Sequence, residues 1–115
     1  MSEYGPALFI KRKDGKPLDE QEQTELLAQV VEHAKQLQLK DEDDNAVELT
    51  VYGYDDIEPL SLGVLLFASF TYGMMDEEIR QDVEADDKRR ILKIGKRIEK
   101  DQPGAYAFDS YYVEV

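Results

Sequence analysis

The chain contains no cysteine. Disulfides, thiolate metal sites and a thiol nucleophile are therefore excluded. Histidine occurs once, at His33. Catalysis through it needs a nucleophile and an orienting partner beside it, and metal binding needs further ligands; no HExxH motif or Ser-His-Asp ordering supplies them. His33 reads as a partly solvated helix residue. Glycine-rich phosphate loops are also missing, because "YGPA", "LGVL" and "YGMM" lack the required spacing. The opening "MSEYGPALF" has no basic stretch followed by an apolar one, so no secretory signal is visible and a cytoplasmic location is expected. No cofactor is implied by any of these features.

Basic residues are scarce. Acidic residues number 26 against 14 basic, a net charge of -12. Such a field repels nucleic acid and anionic lipid, and attracts basic partners or cations. With 115 residues, 42% hydrophobic and 10% aromatic, the chain is expected to form one domain over 1–115 with its own core.

Charge itself is missing from "PLSLGVLLFASFTYGMM", residues 59–75, in a chain that is 35% charged. A membrane span needs about 20 mostly apolar residues, whereas this stretch includes Ser61, Gly63, Ser69, Thr71 and Gly73 and is flanked by acids. Acidic flanks are poor anchoring chemistry. Period two fits: Leu60, Leu62, Val64, Leu66, Ala68, Phe70 and Tyr72 alternate with Ser61, Gly63, Leu65, Phe67, Ser69 and Thr71. The stretch is read as a long strand in the interior of a sheet.

The remaining segments are amphipathic. "PALFIKRK" (6–13) reads as a strand closed by the Asp14-Gly15 turn. Asp19 and Glu22 have capping-box spacing, and Leu27, Val30, Val31, Ala34 and Leu37 form the apolar stripe of a helix ending near Leu39. "AVELTVYGY" (46–54) alternates as a strand, with Val47, Leu49 and Val51 opposite Glu48, Thr50, Tyr52 and Tyr54. Residues 76–101 read as helical through Ile79, Val83, Ile91, Ile94 and Ile98, with "EADD" (84–87) as a possible interruption and "DQPG" as the stop. "AYAFDSYYVEV" (105–115) is a terminal strand. The order is β-α-β-β-α-β, which resembles the ferredoxin-like arrangement: an α+β domain with a four-stranded antiparallel sheet, ordered 4-1-3-2, and two helices on one face.

That order is shared with RNA-recognition motifs, but their stacking aromatics and basic strand start are missing from "LSLGVLLFAS". Phe9 reads as packing, and nucleic acid is not an expected partner. In "DEDDNAVE" (41–48), Asp41, Asp43 and Asn45 alternate as in a calcium loop, yet Ala46 and Tyr52 stand where such a loop needs glycine and glutamate. No metal site is assigned. The adjacent acids Asp55-Asp56 and Asp86-Asp87 read as solvated turn residues, because catalytic carboxylates need a cleft that shifts their pKa values. No catalytic residue is assigned and an enzyme is not expected.

Two charge asymmetries remain. Residues 88–100 hold seven of the 14 bases, after an acid-rich stretch at 76–87; this suits a helix dipole, with Glu84–Lys88 and Asp86–Arg90 at ion-pair spacing. The second has no such local cause. From Asp41 to Ile79 there is no lysine or arginine, while Asp41, Glu42, Asp43, Asp44, Glu48, Asp55, Asp56 and Glu58 crowd either side of the second strand. Edge charge guards against aggregation; an acidic rim around tyrosines is also what a binder of basic protein presents. The expected partner-binding set is Asp43, Asp44, Tyr52, Tyr54, Asp55, Asp56 and Glu58. The function expected is a non-enzymatic acidic interaction protein docking a basic macromolecule, a class that includes immunity and inhibitor proteins acting on toxins or nucleases. Two alternatives stand beside it: a structural or housekeeping homodimer whose acidity serves solubility, with Phe9, Leu65, Phe67 and the tyrosines of 105–115 at a sheet-face or edge contact, and a small-molecule or enzymatic site on the sheet face.

Overall fold

The computed structural model describes residues 4–39, 50–52, 61–65 and 76–114. Strand β1 (Tyr4–Arg12) is followed by helix α1 (Glu20–Gln36), strands β2 (Thr50–Tyr52) and β3 (Leu62–Leu65), helix α2 (Glu77–Asp101) and strand β4 (Tyr106–Glu114). The fold is α+β with antiparallel pairing throughout. β1 pairs β4 along its whole length, from Tyr4↔Glu114 to Arg12↔Tyr106. On its other side β1 meets β3 from Ala7↔Leu65 to Ile10↔Leu62. These three strands make the body of the sheet, and β2 adds a three-residue edge through Thr50↔Leu65, Val51↔Val64 and Tyr52↔Gly63. The strand order is β2-β3-β1-β4.

β3 is the described part of the uncharged stretch, and its alternation is realised there. Leu62 and Val64 enter the main core with Leu8 and Ile10 of β1, while Leu65 lies on the opposite face with Ala7, Phe9 and Val113. Both helices pack on the first face, contributing Leu26, Val30 and Ala34 from α1 and Ile91, Ile94 and Ile98 from α2. No helix among the described residues is long and apolar enough to cross a membrane.

Local chemistry sets the boundaries. At the turn after β1, the Gly15 N–H donates to the Arg12 carbonyl at 3.3 Å, and Gly15 adopts φ +79°, which only glycine accepts at low cost. The Asp19 carboxylate accepts from the Glu22 N–H at 2.7 Å, and the Glu22 side chain returns toward the Asp19 N–H at 3.5 Å. This completes the expected capping box. α2 runs unbroken through 84–87, so the acidic run does not interrupt it; Lys88 bridges back to Glu84 at 2.9 Å.

Two expectations shift. The α1 stripe is Leu26, Val30 and Ala34, with Leu27 and Leu37 only partly buried, in place of one led by Leu27 and Val31. Arg90 pairs with Asp87 at 3.4 Å and Asp86 with Arg89 at 3.4 Å, so the expected Asp86–Arg90 pair is replaced by two pairs spaced one residue closer.

Candidate functional site

The expected partner-binding residues fall mostly outside the described part of the chain. Asp43, Asp44, Tyr54, Asp55, Asp56 and Glu58 all do. The backbone of Tyr52 is described, in β2 at the edge of the sheet and opposite Gly63.

At the far edge, the described residues assemble a polar and apolar seam between α2 and β4. It begins with Asp87. The apolar stripe of α2 runs Ile91, Ile94, Ile98, and one turn before Ile91 the stripe position is occupied by a carboxylic acid. Asp87 is consequently 7% exposed, the one buried charged residue among those described. The Tyr112 hydroxyl of β4 donates a hydrogen bond to its Oδ2, and Arg90 Nη1 donates to Oδ1 at 3.4 Å. Burial pushes the Asp87 carboxyl above its ordinary pKa, and Asp86 adds to this; the Tyr112 bond and the Arg90 charge oppose it. Desolvation of a charge is the dominant cost at such a site. The adjacent acids Asp86-Asp87, expected to be solvated in a turn, therefore differ: both are in α2, and only Asp86 is exposed.

Midway along the seam, Gly95 faces Phe108. A Cβ at Gly95 would lie 2.7 Å from Phe108 Cγ and 2.9 Å from its Cβ, so the helix approaches the strand closely because residue 95 has no side chain. Ser110 Oγ, between Phe108 and Tyr112 on β4, is buried without a hydrogen-bond partner.

The other end of the seam ties three elements together. Glu22 Oε1 accepts from Arg12 Nη1 at 3.0 Å, and Glu22 Oε2 accepts from the Tyr106 hydroxyl at 2.9 Å. Arg12 also holds Asp14 at 2.7 Å, and that pairing keeps the Asp14 carboxyl below its ordinary pKa, helped by the Lys16 N–H. Burial, then the bond to Glu22, raise the Tyr106 phenol. Glu99 Oε1 accepts from the Gly104 N–H at 3.0 Å and from Lys13 Nζ at 3.3 Å; the first of these is the larger cause of its lowered pKa. Beside this end a cleft of about 440 Å³ opens between α2 and β4, floored by Leu92, Tyr106 and Phe108 and rimmed by Lys13 and Lys96.

The seam offers a buried carboxylate and an apolar cleft. It contains no nucleophile placed against a base, and no group of His, Asp or Glu among the described residues is arranged to hold a metal. His33, 14% exposed, has Asp101 at 3.7 Å across the α1–α2 contact, where Arg97 also donates to Gln36 at 2.9 Å. That arrangement joins two helices. Asp87 was findable from sequence: Val83, Asp87 and Ile91 are spaced by four, and only the charge at the middle position hides the stripe.

Phe9 and Leu65, expected at a sheet-face dimer contact, are 1% and 6% exposed within a single chain. Phe9 packs edge-on against Tyr111 with ring centroids 5.4 Å apart. They are thus not available as surface. Comparison of the chain with family models, with curated proteins and with solved structures finds no match.

Proposed function

We propose that the protein is a non-enzymatic, cytoplasmic acidic interaction protein that docks a basic macromolecular partner, in the manner of an immunity or inhibitor protein acting on a toxin or nuclease. On this reading the complete domain is a ferredoxin-like βαββαβ unit in which β2 extends toward 46–54 as the fourth strand. The contact surface is the region around β2: Asp43, Asp44, Asp55, Asp56 and Glu58 steer the encounter, and Tyr52 and Tyr54 give buried contact area.

The observation that carries the reading is the separation of charge along the chain. Of the 26 acids and 14 bases, nine acids and one base lie outside the described residues, which leaves 17 acids and 13 bases in the described body. Most of the net charge therefore belongs to segments adjoining β2, an edge strand. Edge charge also guards a strand such as β2 against aggregation; the presence of Tyr52 and Tyr54 among these acids is what favours a partner surface.

The test is a pull-down from the native host followed by association kinetics at two salt concentrations. Steering acts over a Debye length of about 8 Å at physiological ionic strength. Replacing the five acids with lysine should slow association most at low salt, while Tyr52→Ala should speed dissociation by an amount on the order of 2 kcal/mol. A charge-reversed protein that associates as fast as the parent at both salt concentrations would move the partner surface elsewhere.

A further inference from the structure

We propose that the cleft between α2 and β4 binds a small organic monoanion with a flat aromatic body, its carboxylate held by Lys96 and its ring seated on Leu92, Tyr106 and Phe108. Leu92, Gly95, Lys96 and Glu99 recur at three and four, so a single face of α2 lines the cleft. Glycine at position 95 lets the helix come down close to Phe108. Beside that contact Leu92, Tyr106 and Phe108 pack on the core yet stay only partly buried. They floor a recess of about 440 Å³, a volume within the about 300–1,000 Å³ of small-molecule sites. Glu22 takes the Tyr106 hydroxyl at 2.9 Å, so Tyr106 contributes its ring to the floor rather than a polar group.

The charge at the rim selects the ligand. Lys13, Lys96 and Glu99 are the charged groups that line the cleft. Lys13 and Glu99 pair with each other at 3.3 Å and largely cancel. The Gly104 N–H also donates to Glu99 at 3.0 Å, and this bond, with Lys13, holds the Glu99 carboxyl below its ordinary pKa. Glu99 is therefore an anion at neutral pH. Lys96 is exposed and makes no ion pair or hydrogen bond among the described residues. The cleft thus carries one uncompensated positive charge, on a chain whose net charge is -12. One cation beside an apolar floor complements an amphipathic monoanion: the floor takes the ring, and the lone ammonium fixes its orientation. A second carboxylate on the ligand would meet Glu99, and a cationic ligand would meet Lys96.

The experiment titrates the full chain with naphthoate and follows its backbone amides by NMR. Ordinary ligand efficiency for a molecule of this size sets the expected dissociation constant on the order of 1 mM. Saturable shifts should centre on Leu92, Gly95, Lys96 and Phe108. The neutral amide of naphthoate should bind up to about fivefold more weakly, the range of one exposed ion pair; naphthalenedicarboxylate should also bind more weakly than naphthoate. Lys96→Glu reverses the charge at the rim and should weaken naphthoate by about tenfold. Lys35→Glu makes the same change in net charge on α1 and should leave the affinity within about twofold. The proposal is overturned by shifts that do not saturate or that centre elsewhere, by equal affinity for acid and amide, or by tighter binding of the dicarboxylate. Equal effects of K96E and K35E would also overturn it, since net charge would then account for the binding.

Discussion

Replacing Gly95 with alanine sets two effects of known size against each other. In a helix interior alanine is favoured over glycine by about 1 kcal/mol, so a solvent-facing glycine would be stabilised by the change. Gly95 is buried, however, and its new methyl would sit 2.7 Å from Phe108 Cγ, 2.9 Å from Cβ and 3.1 Å from Cδ1. Rotation about χ1 moves the ring but leaves the Phe108 Cβ in place, because that atom is fixed by the β4 backbone. Relief therefore requires α2 to lift from the sheet by several tenths of an ångström, disturbing the packing of Ile91, Ile94 and Ile98. Overpacking of this kind costs roughly 1–3 kcal/mol, and the need to move backbone puts this site at or beyond the upper end. The net expectation is a destabilisation of about 2 kcal/mol, seen as a fall of roughly 8 °C in Tm for a domain of this size. Urea unfolding and thermal melting of Gly95→Ala measure it. In a double-mutant cycle, Phe108→Ala should cost less in the Gly95→Ala background than in the parent, with coupling of about 1 kcal/mol. A gain in stability from Gly95→Ala alone would refute the close approach of α2 to β4.

Asp87→Asn tests the buried carboxyl. Because burial raises its pKa in the folded state, Asp87 contributes stability below its unfolded pKa and loses that contribution as pH rises through the folded value. Asparagine keeps an acceptor for the Tyr112 hydroxyl and cannot ionise, so the variant should gain on the parent in urea unfolding as pH is raised from acid to neutral; a constant difference across that window would count against the assignment. Asp19→Ala removes the 2.7 Å cap bond to the Glu22 N–H and should lower unfolding free energy by about 1 kcal/mol, whereas Asp19→Ser should retain most of it. Tyr106→Phe deletes the hydroxyl that donates to Glu22 Oε2 and should cost about 1 kcal/mol by the same measurement, with no loss expected only if water replaces the phenol fully.

What the sequence made legible was local or strictly periodic. The Asp19–Glu22 capping box depends on residues three apart, and the Asp14-Gly15 turn on two neighbours, so both could be read without knowledge of tertiary contacts. Alternation in Leu62, Val64 and Leu65 likewise assigned faces correctly across the described part of the uncharged stretch. The α1 stripe was ambiguous for a physical reason: Leu26-Leu27 and Val30-Val31 are adjacent apolar pairs, and only packing against the sheet decides which member turns inward. Asp87 failed differently. Hydropathy marks it as surface, whereas its position four residues before Ile91 puts it in the core, and the partner that makes this tolerable, Tyr112, is 25 positions away in sequence. Pairings at that separation leave no local signature. The β4 edge was visible as a tyrosine-rich strand, but its status as an edge depends on strand order, which belongs to the fold.

The charge proposed for partner docking gathers beside β2, at one end of the strand order β2-β3-β1-β4. On that proposal, acidic residues flanking β2 attract a basic partner, an attraction that added salt would screen. Raising ionic strength should therefore slow association with a basic partner, and an association rate unchanged by salt would count against that proposal.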